Sequence, residues 1–325
     1  LIAPMNIQKQ NTINKYGQIV PKDRLTHDQS FEWSSGTSVN GRVIMEELLP
    51  CMFRSCIRRM VNWAVTARRL YPNLPILASK IDFKSAFRRM HLNAETATQM
   101  CTMLPEFGIL LMWLRLSYGG KPCPYMWGIF SETMCNLANA ILFSDNWDPS
   151  NLFAPNQPLV PTRVLLDDDI PFGEGAELIV DIQIDPHGLH DVYINDIILL
   201  TVDIPGHDNA ARGQSTSLLA IDATARPNHP DEPTPRESMD ACDKLVAKAS
   251  LTEIKMFLGW EWDFRQLKIL LPENKFIAWT TNVSHLLNEG TTTAKTLKST
   301  ISRLGHLALV VPGVHHFLSR LRELQ

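Results

Sequence analysis

The chain has 325 residues, 45% of them hydrophobic, and a formal net charge of −3. That is enough apolar material for a large core, or for two or three subdomains around one cleft, and it excludes a disordered tail. No run of about 18 consecutive apolar residues is present, which excludes a helical membrane span, and residues 1–6 lack the basic region and apolar run of a signal peptide.

Charge is unevenly distributed. Residues 1–100 carry 14 Lys+Arg against 7 Asp+Glu, residues 101–240 carry 6 against 20, and residues 241–325 carry 11 against 7. An acidic middle between basic ends suits a metal-dependent polymerase, with carboxylates for cations at the centre and positive walls for phosphates; ordinary surface variation also produces such a split. The six cysteines lack zinc-site spacing and read as reduced core thiols of an intracellular protein, cytoplasmic or nuclear. His315 and His316 diverge by about 100° on a helix and cannot chelate from one face. The chain starts without Met and ends inside a helical pattern, as expected of a piece of a larger polyprotein with further domains.

Residues 17–41 are polar and turn-rich. A long helix is expected over 46–70, with Leu49, Phe53, Ile57, Met60, Val61 and Ala64 at helical spacing. Arg54, Arg58, Arg59, Arg68 and Arg69 decorate the rest of it, solvated by default or, less commonly, touching a template strand. Residues 75–83 read as a strand followed by a short helix through Arg89, and 108–116 as another strand. Pro122 and Pro124 open a helix to about residue 142. Residues 145–188 are loop-rich. Residues 191–202 are strand-like, interrupted at Asn195-Asp196, and 205–236 are loop-rich again, with five prolines. Two helical or mixed segments close the chain, separated near Leu271-Pro272. This order argues for an α+β fold, a sheet with helices on one face.

Asp82 ends an apolar strand just before a helix, where a carboxylate points from the sheet edge into a cleft. Asp191 to Leu200 has hairpin grammar, two apolar runs around a polar two-residue turn. Phosphoryl transfer to a 3′-hydroxyl uses two divalent cations about 3.5–4 Å apart, held by carboxylates from separate elements. Asp82 and the 195–196 tip are placed to supply them; Asn-Asp is equally a simple turn former. Asp167-Asp168-Asp169 is a rival metal turn, weakened by Pro171 and by the lack of a preceding Tyr.

Taken together, several segments resemble reverse transcriptases. Lys80-Ile81-Asp82-Phe83-Lys84-Ser85-Ala86-Phe87 is similar to their first palm motif, and Ser117-Tyr118-Gly119-Gly120-Lys121-Pro122 to the second. Tyr193-Ile194-Asn195-Asp196 resembles the Tyr-x-Asp-Asp turn, Phe257-Leu258-Gly259-Trp260 the primer grip, and Lys22-x-Arg24 with Asp28 and Asn40 the fingers segment that holds nucleotide phosphates. The motifs stand in family order over residues 20–325. The resemblance implies a right-hand polymerase fold: fingers over 1–74, palm over 75–263 with a fingers segment at 93–112 and insertions at 143–190 and 204–240, and thumb or start of a connection over 264–325. It implies template-directed DNA synthesis from deoxynucleoside triphosphates on a primed RNA or DNA template, with two Mg²⁺ ions that Mn²⁺ can replace. Asp82 and Asp196 would hold the metals, with Asn195 beside them. Lys22 and Arg24 would grip the triphosphate, Phe83, Tyr118 and Gly119 would line the nucleotide pocket, Phe87 would exclude a ribose 2′-OH, and Phe257, Leu258, Gly259 and Trp260 would position the primer. Taken singly, the aromatics are more often core residues and the cations more often solvated.

One position departs from the pattern. The family has Asp where this chain has Asn195. Asn is neutral and offers one carbonyl oxygen, so it weakens a site for two dications. The competing expectation is a decayed copy that folds and binds nucleic acid without polymerising; a more distant one is an unrelated α+β nucleic-acid-binding protein.

Overall fold

The computed structural model describes residues 4–323 apart from 15, 33, 35, 147, 149–155, 162, 168, 178, 179, 181, 226–230, 232, 234–237 and 312, and apart from the side chain of Arg54. Its centre is a three-stranded antiparallel sheet of β3 (Ile76–Asp82), β7 (Asp196–Val202) and β6 (Leu189–Tyr193), with β7 in the middle. All seven residues of β3 are buried, as are all of β7 after Asp196. Strands that read as continuous apolar runs need cover on both faces, and they receive it.

On one face, Ile76 and Ala78 of β3 and Ile198, Leu200 and Val202 of β7 pack against α1 (Cys56–Leu70) and against Phe257, Trp260 and Trp262. Those aromatics belong to a small antiparallel sheet of β8 (Ile254–Phe257), β9 (Trp260–Asp263) and β10 (Lys268–Leu270). On the other face, Ile81 and Ile197 pack among residues of α3 (Cys123–Leu142), α4 (Asn209–Thr224) and α5 (Cys242–Lys248). Helices therefore cover both faces of the sheet, not one. The α4 helix approaches closely because Gly213 lacks a Cβ, which would stand 2.7 Å from Leu199 Cδ2.

A long hairpin, β1 (Met5–Ile13) with β2 (Ile19–His27), leans on α5. The short α2 (Ala94–Gln99) leads into a second hairpin, β4 (Cys101–Leu104) with β5 (Ile109–Met112). After β10 come α6 (Glu273–Glu289), α7 (Ala294–Leu307) and α8 (Val314–Arg322). Among the described residues, no helix is long and apolar enough to cross a membrane.

Several expectations change. The helix expected over 46–70 begins only at Cys56; Pro50 lies in the extended stretch before it, and 3₁₀ turns take up 45–47 and 52–55. The strand expected over 108–116 shrinks to β5 and pairs with a partner the periodicity did not reveal. The stretch 205–236 is not all loop, because α4 fills its proline-free middle between Pro205 and Pro227. The one helical or mixed segment expected after Pro272 is three helices.

Two arginines of α1 are structural. Arg59 grips Asp191 with both Nε (2.8 Å) and Nη2 (2.5 Å). Arg68 is 1% exposed and donates to the carbonyls of Pro72, Leu74 and Phe264. Neither is a solvated cation on offer to a template, and the side chain of Arg54 lies outside the described residues.

The rival turn at 167–169 lies in a segment clamped on both sides. Buried Arg265 forms a two-pronged pair with Glu253 at 2.7 Å and donates to the carbonyls of Leu166 and Ile170. That clamp holds the segment as a strap, with Asp167 and Asp169 exposed. Asp168 lies outside the described residues.

His190 of β6 is 2% exposed, its Nε2 lying 3.0 Å from the Gly213 carbonyl. Burial pushes its pKa down to about 4 from 6.5. The unfolded chain takes up that proton near pH 6.5 and the folded one only near pH 4, so stability falls as pH drops through this window, by roughly 3 kcal/mol in all. Urea unfolding between pH 7 and pH 4 should show this loss, and a His190→Gln variant should show about that much less of it.

Candidate active site

The face of β3 that carries Ile76 and Ala78 in the core continues to Lys80 and Asp82, because residues two apart share a face. The matching face of β7 ends at Asp196. In the ladder Asp82 stands directly opposite Asp196, and Asp196 also pairs with Tyr193 of β6. The tight turn is therefore Ile194-Asn195, with Ile194 at φ 55°, and Asp196 is a strand residue, not a turn residue as the spacing suggested. The Asn195 carbonyl accepts from the Phe83 amide at 3.1 Å, which ties the turn to the end of β3. The Asn195 Nδ2 faces Asp196 Oδ1 at 3.3 Å.

Two like charges placed opposite each other in a sheet repel, and here Asp82 is 4% exposed. Three lysines relieve the repulsion. Lys80 Nζ lies 2.6 Å from Asp196 Oδ2 and 3.5 Å from Asp82 Oδ1. Lys248 and Lys244 of α5 reach Asp82 Oδ2 at 3.0 and 3.4 Å. Burial, then the hydrogen bond with Asp82, push the Asp196 carboxyl upward. Burial acts the same way on Asp82, but the hydrogen bond with Asp196 and the charges of Lys80, Lys248 and Lys244 outweigh it and hold Asp82 below the usual carboxylate range. The two shifts run in opposite directions, so a proton held by the pair sits on Asp196 in preference to Asp82.

These lysines were the residues that sequence reasoning missed. Lys80 stood inside a quoted motif without a role. Lys244 and Lys248 lie i,i+4 on a short helix, a spacing that puts both on one side, but nothing local says which carboxylate they meet. The α5 helix is set in place by its lead-in, where the Ala241 amide donates to the Asp82 carbonyl at 3.0 Å.

The same two lysines of α5 also line a cavity of about 310 Å³, together with Lys22 and Arg24 of β2 and parts of β1. Burial and then the charges of Lys244, Arg24, Lys84 and Arg88 lower the Lys22 pKa. Arg24 lies over the Tyr118 ring at 4.5 Å, and Tyr118 meets the Phe87 ring at 5.2 Å. The structure thus brings Lys22, Arg24, Tyr118 and Phe87 together along one wall.

Gly119 holds that wall to β2. Its φ is 109°, and a Cβ there would lie 2.0 Å from the His27 carbonyl oxygen. The Tyr118 carbonyl accepts from the His27 amide, and the Gly119 carbonyl from Asn40 Nδ2 at 2.8 Å.

Other expected site residues turn inward. The Phe83 ring is buried against Trp127, centroids 5.3 Å apart, so it does not line a nucleotide pocket. Phe257 and Trp260 are each 2% exposed in the core, and Trp260 stacks on His306 of α7 at 5.3 Å. The Leu258-Gly259 turn between them is half-buried, with Lys275 of α6 donating to the Gly259 carbonyl at 3.0 Å.

No family model matches the chain, and no curated protein matches it. Among solved structures it aligns with a foamy viral protease-reverse transcriptase in complex with double-stranded DNA, at 12% identity and a TM-score of 0.47. That match covers 97% of this chain and 39% of the other. A foamy viral protease-reverse transcriptase in complex with an RNA/DNA hybrid aligns at 13% identity and a TM-score of 0.45, covering 98% of this chain and 30% of that one. The chain spans well under half the length of either.

Gly119→Ala should be the costliest single-methyl addition in this wall. The new Cβ meets backbone, not a side chain that can swing away, and the φ is one that L residues rarely adopt. A loss of roughly 2 kcal/mol or more is expected in denaturant unfolding. A change below about 0.5 kcal/mol, the range of ordinary surface substitutions, would contradict the contact.

Proposed function

We propose that the chain is the polymerase region of a reverse transcriptase of the retrotransposon kind. It binds a primed RNA or DNA template and adds deoxynucleotides to the primer 3′ end, with fingers over 1–74 and 93–112, palm over 75–263 and thumb over 264–325. The observation that carries this reading is the in-register facing of Asp82 and Asp196, with Asp82 met by two lysines that also line a cavity with Lys22 and Arg24. Two carboxylates from separate strands, with a group of cations nearby, make an arrangement suited to phosphoryl transfer.

The donor set suits one hard cation and not two. Asp82 and Asp196 offer oxygen ligands of the kind Mg²⁺ or Mn²⁺ takes. Among the described residues, no group of three or more His, Cys, Asp or Glu is placed to hold a metal ion. Asn195 brings a neutral amide, and three ammonium groups already face the same carboxylate oxygens. A single ion at Asp82 and Asp196 would supply Lewis acidity to the reacting phosphate. The chain's own residues bind and orient: Lys22 and Arg24 hold phosphates, Phe87 braced by Tyr118 shapes the sugar site against a 2′-OH, and the Leu258-Gly259 turn meets the primer. A second reading, nucleic-acid binding without polymerisation, is supported by Asn195 together with the excess of lysine charge over the carboxylate pair.

Primer extension on poly(rA)/oligo(dT) separates the two. Asn195→Asp should raise incorporation by about 100-fold, the order expected when one charge-stabilising group is restored, and Asp82→Asn in that background should abolish it. No incorporation by either the native or the Asn195→Asp protein, with primer–template binding retained, would favour the binding-only reading. Full activity in the native protein, unchanged by Asn195→Asp, would contradict the assigned deficit.

A further inference from the structure

The shortfall in carboxylates coincides with a surplus of ammonium groups. Lys244 and Lys248 meet the same oxygen of Asp82, and their side chains remain 29% and 27% exposed. Both also line the cavity shared with Lys22 and Arg24. Lys22 is close enough to Lys244 and Arg24 for their charges to oppose its own. A concave group of cations that repel one another gains most from a polyanion that touches them all. Lysine is a compact point charge with three donors on a flexible stem, suited to following phosphate oxygens. Two such lysines carry the charge of one divalent cation, and they stand beside the carboxylates where a second one has no ligands.

We propose that Lys244 and Lys248 take over the charge of the missing second cation, so that this cavity holds the polyphosphate of a nucleoside triphosphate without any divalent ion. The identification of the anion as a nucleotide rests on the polymerase reading; its phosphate character rests on the four cations. In binding, Lys244 and Lys248 exchange their contact with Asp82 for phosphate oxygens, and Lys80 stays with Asp196. No bond is made or broken in this step.

The test is equilibrium binding of a fluorescent deoxynucleoside triphosphate in EDTA and in Mg²⁺, with inorganic tripolyphosphate and a short DNA duplex as competitors. Nucleotide should bind in EDTA, be displaced by tripolyphosphate, and lose affinity roughly tenfold with Lys244→Gln and again with Lys248→Gln, as for single charge-assisted contacts. The Lys→Arg versions should keep most of the affinity, which rules out a folding defect, and Lys268→Gln, on the outer strand β10, should change nothing. Binding that requires Mg²⁺, or equal affinity in the Gln variants, overturns the proposal. Displacement by duplex but not by tripolyphosphate overturns it too, by assigning the cavity to backbone phosphate. Primer extension with strictly Mg²⁺-dependent nucleotide binding removes this inference and leaves the polymerase reading standing. Tripolyphosphate binding in EDTA without primer extension does the reverse.

Discussion

Asp82 and Asp196 face each other across two hydrogen-bonded strands at the edge of a buried core, and the arrangement around them follows from that burden. Two carboxylates taken out of water at this distance are tolerated only with opposite charge at hand. Lys80 supplies it from the same strand face, and Lys244 and Lys248 supply it from α5. The α5 helix must then lie beside the end of β3, and the backbone bond from Ala241 to the Asp82 carbonyl puts it there. The β1–β2 hairpin closes over the same helix, and its Lys22 and Arg24 complete a positive cavity.

The sheet links this charged end to the core. Along one face of β3, Ile76 and Ala78 sit among α1 and the aromatics of β8 and β9, and two further steps reach Lys80 and Asp82. A one-residue slip would send the carboxylate into the apolar side packed by α3, α4 and α5. Register is therefore set by hydrophobic burial at one end of the strand, and that register aims the carboxylates at the other. The buried Glu253–Arg265 pair and the Arg59–Asp191 pair pin surrounding segments.

Much of this was legible in the sequence, for identifiable reasons. The β3 and β7 runs and the long α3 carry strong periodic or continuous apolar signals, and Asp82 before a turn is a local feature. The α4 helix was hidden because its buried side is built of Gly213, Thr216, Ser217 and Ala220 as much as of Leu218 and Ile221, and prolines flank it. The cover on both sheet faces could have been inferred from strands with no polar alternation. The Lys248–Asp82 contact spans 166 positions, so no local pattern reports it. Phe83, Phe257 and Trp260 were read for function, while burial gives their rings a packing role.

The central claim is that this centre has ligands for one divalent cation, with lysines in place of the second. Titration of the protein with Mn²⁺, followed by electron paramagnetic resonance in the presence of primer–template and a non-hydrolysable deoxynucleotide, counts the ions directly. The account predicts one bound Mn²⁺ per chain, lost in Asp82→Asn, and a second appearing only when Asn195→Asp is combined with Lys244→Gln and Lys248→Gln. Two tightly bound ions in the native protein, or one that survives Asp82→Asn, would contradict it.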